Sequence, residues 1–139
     1  MTTVLDASSI LRYLDNEAGA ERIAVLLEEC LEGKTRVLVS SVQWGEIASL
    51  VCKRRGTQFV DALLAGLLVL GIEVVPATQD RSVRSGIIHA TKEIPYADCF
   101  AVELAENSSD YVLITADFDV KPAEGDVRIE FLPVKSQPN

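Results

Sequence analysis

The chain has 139 residues, of which 48% are hydrophobic and 24% are charged, and it carries a formal net charge of −8. This length suits one domain with its own core, and the composition excludes an intrinsically disordered chain. The negative charge opposes nucleic-acid binding unless basic side chains cluster locally or a cation neutralises the carboxylates.

Three features indicate a cytoplasmic protein without a membrane segment. The N-terminus lacks the basic and apolar regions of a secretory signal. The longest apolar run, Ala62 to Ile72, is far shorter than the roughly 20 residues that span a bilayer, and it predicts a buried helix. The cysteines Cys30, Cys52 and Cys99 are odd in number and widely spaced, which argues against disulfides and against a thiolate zinc site.

Short β-prone runs alternate with amphipathic helical segments along the whole chain. In order, the patterns predict a strand at 2–5, helices around 10–14 and 23–31, a strand at 37–39, a helix capped by Ser40-Ser41 and ended by Lys53-Arg-Arg-Gly, a helix at 57–70, a strand at 72–75, helices at 78–91 and from Pro95 to about 106, and strands at 111–115 and 129–132. Strands separated by helices imply an α/β domain with a mostly parallel central sheet and helices on both faces. We expect one domain over 1–133 and a flexible tail over 134–139.

Two carboxylates follow predicted strands directly. Asp6 comes after Val4-Leu5, and Asp117 comes after the strand that ends at Thr115. Because open parallel sheets bind ligands beyond the carboxyl ends of their strands, we expect both side chains to face one crevice. Asp6 alone would be explained equally well as a helix cap, but the second acid favours a shared site.

Two further acids lie on the packed sides of predicted helices. Ala101, Val102 and Ala105 place Asp98 on an apolar stripe, and Glu46 repeats this arrangement less sharply. A buried ionised carboxylate requires a pairing cation, either a basic side chain or a metal. Salt bridges to Arg12, Arg81 or Arg84 could satisfy one or two of these acids. A cluster of four would instead favour a hard divalent cation with oxygen ligands, Mg²⁺ or Mn²⁺, and hydrolysis of a phosphodiester by a metal-activated water.

The ordered acidic motifs resemble those of PIN-domain ribonucleases, and most closely the VapC toxins of toxin–antitoxin pairs. They are Asp6-Ala-Ser-Ser, Glu46 in the third helical segment, Tyr96-Ala-Asp98-Cys-Phe-Ala, and Thr115-Ala-Asp117-Phe-Asp119, and they cover nearly the whole chain. The resemblance implies a PIN-like fold and a metal-dependent ribonuclease whose metal is held by Asp6, Glu46, Asp98 and Asp117. It also implies an RNA substrate, a homodimer and a cognate antitoxin.

The resemblance assigns three further positions. Ser8 and Thr115 match hydroxyl positions beside the metal-site acids, and Asp119 matches a more variable acid that binds the metal directly or through water. The sequence departs from the family pattern after Asp119, where Val120 stands in place of an aromatic residue and Phe118 precedes the acid.

Three other interpretations compete with the nuclease interpretation. A catalytically silent module of the same fold would bind RNA or protein, although it would have no need for all four acids. A receiver-type signalling domain would need a phosphoacceptor aspartate after its middle strand, where this chain has Val75-Pro76. A dehalogenase-like phosphatase would need an acid at position 8, where Ser8 stands.

The remaining candidate residues favour structural roles. His89, the single histidine, has no ligand partner at suitable spacing, and Trp44 and Tyr96 are typical of core or interface positions rather than base-stacking platforms. Two helical segments carry basic residues that could contact phosphates: Lys53, Arg54 and Arg55 in one, and Arg81, Arg84 and Lys92 in the other. Such charges are more commonly found on solvated helix faces.

Overall fold

A computed structural model describes residues 1–135 of the chain. Its strands are β1 (Thr2–Leu5), β2 (Arg36–Ser40), β3 (Glu73–Val75), β4 (Tyr111–Thr115) and β5 (Arg128–Phe131). Its α-helices are α1 (Ala7–Leu14), α2 (Ala20–Leu31), α3 (Ser41–Arg55), α4 (Val60–Val69), α5 (Gln79–Lys92) and α6 (Tyr96–Ala105). Short 3-10 helices span Thr57–Phe59 and Phe118–Ala123.

The five strands form one sheet in the order β3-β2-β1-β4-β5, and every neighbouring pair is parallel. The predicted α/β fold with a parallel central sheet is therefore confirmed. The chain builds outward from β1 to β2 and β3, then returns to place β4 on the other side of β1. The strand order thus reverses between β1 and β4, which is where an open sheet of this kind forms its binding crevice.

Alternate strand residues enter two separate cores, one on each face of the sheet. Leu5 and Ile114 point into a core that is covered by α1 to α4, whereas Val4 and Leu113 point into a core covered by α5 and α6. Strands β1 and β4 place these side chains side by side, because Val4 pairs with Leu113 and Leu5 pairs with Ile114. A sheet that is apolar on both faces needs helices on both, and this part of the prediction is also confirmed.

The structure corrects the expectation for the apolar run at 62–72. Thr57–Phe59 forms a separate 3-10 turn, and the α4 helix that follows buries only Leu67 fully. Leu68 and Val69 are 49% and 75% exposed, so the run is not a buried helix. The physical reason is position: α4 packs mainly on α3 rather than on the sheet, so one of its apolar sides remains uncovered.

The end of the chain extends beyond the last strand. Val134 and Lys135 are exposed, and residues 136–139 of the expected tail lie outside the described residues. Within residues 1–135, no helix is long and apolar enough to cross a membrane.

Candidate active site

Four acids from four separate elements line one cavity of about 180 Å³. Asp6 follows β1 and Asp117 lies two residues beyond β4, while Glu46 lies in the second turn of α3 and Asp98 in the first turn of α6. The parallel sheet brings the first two together because its strands end at one edge. The two helices bring the other acids over that edge, so the four side chains line one cavity.

Asp6 is almost fully buried and accepts hydrogen bonds on both carboxylate oxygens. Its Oδ1 accepts from the Ser8 hydroxyl at 2.7 Å and from the Ser9 backbone N–H at 3.0 Å, and the Thr115 hydroxyl donates to Oδ2. Asp6 is therefore both the N-cap of α1 and a wall of the cavity. Burial raises the pKa of Asp6, and the donated hydrogen bonds oppose that rise.

Ser8 and Thr115 also hold the loop that carries Asp117. The Ser8 hydroxyl oxygen accepts the Ala116 N–H at 2.9 Å, and the Thr115 hydroxyl oxygen accepts the Asp117 N–H at 3.0 Å. Each hydroxyl thus donates to Asp6 while it accepts from the β4 loop. These two side chains fix the relative positions of Asp6 and Asp117. The Ser8 and Thr115 hydroxyls therefore lie beside the acids, at the positions that the resemblance assigned to them.

Asp98, Asp117 and Asp119 form a tight carboxylate group. One oxygen from each lies within 4.8 Å of the others. Burial, a hydrogen bond with Asp117 and the charges of Asp117, Asp6 and Glu46 raise the pKa of Asp98 to about 8. Asp98 therefore retains its proton at neutral pH when no cation is present. Asp119 is exposed and does not line the cavity, so it lies at the edge of the group.

Glu46 contributes a carboxylate oxygen with no hydrogen-bond donor. Its Oε1 is buried, and among residues 1–135 no group donates to it. Burial raises the pKa of Glu46, and the charges of Asp6 and Asp117 raise it further. An orphaned buried oxygen in a cavity of like charge is costly unless a proton or a cation compensates it.

The arginines that could have neutralised these acids are engaged elsewhere. Arg81 and Arg84 both pair with the buried Glu103, at 2.8 and 2.9 Å. Arg12 donates to the carbonyl oxygens of Ala18 and Pro133. The alternative of structural salt bridges is therefore wrong for the described residues, since none of their basic side chains pairs with a site acid.

One polar residue of the site was not predicted from sequence. Gln43 is 1% exposed, lines the cavity and lies one turn before Glu46 on α3. Its Oε1 accepts the Ala7 N–H at 2.7 Å, and its Nε2 donates to the Ala97 carbonyl at 2.7 Å. The available signal was weak: Gln43 interrupts the apolar stripe of α3 on the same face as Glu46.

A groove of about 310 Å³ adjoins the acidic cavity and shares Ser8, Leu11 and Asp117 with it. Its lining includes Arg12, Arg54, Lys135 and the half-exposed ring of Phe118.

Two cations of the groove form ion pairs that remain exposed to solvent. Arg54 pairs with Asp15, and Lys135 pairs with Glu17 at 2.6 Å. Their side chains nevertheless remain 46% and 53% exposed. Of the other predicted phosphate contacts, Arg55 pairs with Asp15, Lys92 pairs with Asp126, and Arg81 and Arg84 hold Glu103, whereas Lys53 is exposed.

The aromatic and imidazole side chains lie outside the cavity. His89 Nδ1 is 2.6 Å from the Ile94 carbonyl oxygen, which can only accept, so this nitrogen carries the proton. Tyr96 stacks between His89 and Phe100, and Trp44 packs on the edge of the core beneath α1 to α4. These contacts agree with the structural roles predicted for all three residues.

Comparisons with known proteins give one family and one fold. The sequence model of a family described as PIN domain matches residues 3–125. The structure is similar to VapBC2 from Rickettsia felis bound to a promoter DNA fragment, with 14% identity, a TM-score of 0.70, and coverage of 96% of this chain and 100% of that chain. A search of curated protein sequences finds no match.

Two further solved structures have the same fold. VapC20 from Mycobacterium tuberculosis, described as a sarcin-ricin loop cleaving toxin, has 20% identity and a TM-score of 0.69, with coverage of 94% of this chain and 99% of that chain. VapBC-1 from nontypeable Haemophilus influenzae has 20% identity and a TM-score of 0.67, with coverage of 94% and 98%.

Proposed function

Because the chain belongs to the PIN-domain family, we propose that it is a divalent-metal-dependent ribonuclease that acts as the toxin of a toxin–antitoxin pair. One observation carries the proposal. Asp6, Glu46, Asp98 and Asp117 line a single cavity, and no basic side chain of residues 1–135 pairs with them.

The donor set fits a hard divalent cation. All candidate ligands are carboxylate oxygens, and the buried Glu46 Oε1 has an unused lone pair directed to no donor among the described residues. Mg²⁺ and Mn²⁺ prefer such oxygen ligands, together with retained waters, whereas the site offers no thiolate or imidazole that would favour zinc. A bound ion of this class would supply an activated water and would stabilise negative charge on the phosphoryl oxygens.

The residues of the chain have distinct roles in this proposal. Asp6, Asp98, Asp117 and Glu46 hold the ion, and Asp119 contributes from the edge, directly or through a water. Ser8 and Thr115 hold the Asp6 carboxylate and the loop after β4 in place before substrate binds. The carboxylates of Asp6 and Asp117 are therefore already positioned for the cation.

The groove beside the cavity supports an RNA substrate in spite of the net charge of −8. Arg12, Arg54 and Lys135 line this groove together with the acids Glu17 and Asp117, so a phosphate backbone can approach the site beside three cationic side chains. Phe118 stacks on Phe131 and is still half-exposed, so an unpaired base could extend this stack. These features favour single-stranded or looped RNA, whose backbone and bases are accessible.

A protein partner is supported by the uncovered side of α4. Leu68 and Val69 are exposed apolar residues on the side of α4 that residues 1–135 leave uncovered, and such patches commonly mark protein interfaces. The solved structures with this fold include VapBC complexes. We therefore include a cognate antitoxin and a homodimer in the proposal; a strict monomer in size-exclusion chromatography with light scattering would contradict the dimer.

The direct test is cleavage of a panel of structured and single-stranded RNAs in Mg²⁺, in Mn²⁺ and in EDTA. The variant Asp98→Asn removes one site charge while it keeps the side-chain shape. Asp110→Asn is the matched control, because Asp110 is exposed and precedes β4 at the opposite edge of the sheet. We expect cleavage that requires a divalent ion, disappears in Asp98→Asn and persists in Asp110→Asn.

Other outcomes would contradict the proposal. Cleavage in EDTA, or equal cleavage by Asp98→Asn and the parent protein, would refute a carboxylate–metal mechanism. Metal binding without cleavage of any RNA in the panel would favour the catalytically silent binding module.

A further inference from the structure

We propose that Gln43 is a positioning residue that sets the spacing between the Asp6 and Asp98 carboxylates. The inference rests on the proposed metal site and assigns a role to a residue that makes no charge contribution of its own. The side chain is 1% exposed, and it reaches from α3 to both of the neighbouring helices that carry site acids.

The two hydrogen bonds of Gln43 end next to the acids. Oε1 accepts from the N–H of Ala7, which follows Asp6 directly, and Nε2 donates to the carbonyl of Ala97, which precedes Asp98 directly. Both bonds are 2.7 Å long. Gln43 therefore joins the backbone at Asp6 to the backbone at Asp98, and its own helix carries Glu46 one turn later.

The carboxamide suits this position for two reasons. It can accept from an N–H and donate to a carbonyl at the same time, which neither a carboxylate nor an ammonium group can do. It is also neutral, so it adds no charge to a cavity that already contains four acids. In addition, the Ala7 N–H belongs to the first residue of α1 and has no acceptor within its own helix, so Gln43 satisfies a group that would otherwise be orphaned.

Loss of the bridge should change metal binding more than it changes folding. Without it, the repulsion among the acids is opposed only by packing, and the α1 and α6 backbones can separate at the site. Removal of groups that orient metal ligands typically lowers metal affinity or activity by about 10- to 100-fold. We expect Gln43→Met, which conserves volume but makes neither bond, to raise the Kd for Mn²⁺ by at least about 10-fold.

The test is a Mn²⁺ titration of each purified variant, with free Mn²⁺ measured from its electron paramagnetic resonance signal. Gln43→Asn is the second variant: it keeps both polar groups but is too short to span both partners, and it should also weaken binding. Val51→Ala is the control for stability, because Val51 is buried on the same helix but contacts the core beneath the sheet rather than the cavity. Thermal unfolding is measured for all three.

The outcomes separate this inference from the function proposal. Weaker Mn²⁺ binding in every Gln43 variant that folds, with parental affinity in Val51→Ala, supports the positioning role. Parental affinity in a folded Gln43 variant overturns it and leaves the metal site intact, as does a loss of affinity in Val51→Ala equal to that of the Gln43 variants. A parent protein that binds no Mn²⁺ would instead overturn the proposed function and this inference together.

Discussion

Replacement of Asp98 by asparagine should stabilise the metal-free protein while it removes metal binding. Asp98 lies against Asp117 and close to Asp6 and Glu46, and these neighbours together with burial raise its pKa to about 8 from an ordinary value of 3.8. The unfolded chain ionises this carboxyl near pH 4, whereas the folded protein resists ionisation until about pH 8. Between these two values the folded protein holds a proton that the unfolded chain has lost. The free energy of unfolding is therefore highest at low pH and falls progressively as pH rises from about 4 to about 8.

The size of the effect follows from the same shift. The whole shift would correspond to several kcal/mol, but Asp98 is only partly buried, so water and salt screen a large share of it. We expect Asp98→Asn to be more stable than the parent by about 1 to 2 kcal/mol above pH 8, which is a rise in Tm of roughly 3 to 8 °C for a domain of this size. The difference should narrow as pH falls towards 4, because asparagine has no proton to lose.

The assay is thermal unfolding followed by circular dichroism in EDTA at pH 5, 7 and 9, with Asp110→Asn as the control for loss of one negative charge. Saturating Mn²⁺ should reverse the order of the two proteins. At 100 times its Kd, the ion should stabilise the parent by about 2.7 kcal/mol and Asp98→Asn very little. Equal Tm values at pH 9 in EDTA, or equal stabilisation of both proteins by Mn²⁺, would refute the reasoning.

Three further predictions address neighbouring features. Thr115→Val removes the hydroxyl between Asp6 and Asp117, and single-turnover cleavage should slow by about 10- to 100-fold without loss of the circular dichroism spectrum; an unchanged rate would contradict this. Arg54→Gln should raise the KM for RNA, leave kcat unchanged and reduce the slope of log binding constant against log salt concentration by about one. A change in kcat would instead indicate that Arg54 takes part in the chemical step. Glu103→Gln should lower the free energy of unfolding by about 2 kcal/mol, because Glu103 is the buried partner of two guanidinium groups, but Mn²⁺ affinity should stay at the parental value.

The acids of the site could be predicted because each has a local signature. Asp6 and Asp117 follow apolar runs that end at a common edge once the sheet is parallel. Asp98 interrupts an apolar helical stripe, where a carboxylate requires compensation. The expected PIN-domain family is confirmed by the family match, and the solved VapBC2 and VapC20 structures have the same fold. Local pattern and topology therefore determine which acids meet.

Other features depend on contacts between elements that are distant in sequence. Glu103 engages Arg81 and Arg84 only because α5 packs against α6, and the sequence offered no way to choose between this partner and the site acids. Sequence reasoning missed Gln43 because its uncharged amide gives only a weak signal within the apolar stripe of α3. Its role depends on where Ala7 and Ala97 lie in the fold.

The prediction of a buried helix from the apolar composition of α4 was wrong for a related reason. An apolar sequence indicates that a helix is favoured to bury its side chains against another surface. It does not indicate whether that surface is the sheet of the same chain. In the structure the helix lies beside α3, and Val69 remains largely exposed.

The most direct test of the central claim joins metal occupancy to cleavage in one protein sample. Mn²⁺ binding and the single-turnover rate of RNA cleavage are measured across the same Mn²⁺ titration, for the parent protein and for Asp98→Asn. We predict that the two curves of the parent coincide, and that the variant neither binds Mn²⁺ in this range nor cleaves. A cleavage rate that is independent of Mn²⁺ occupancy, or that survives in Asp98→Asn, would contradict a ribonuclease built on these four carboxylates.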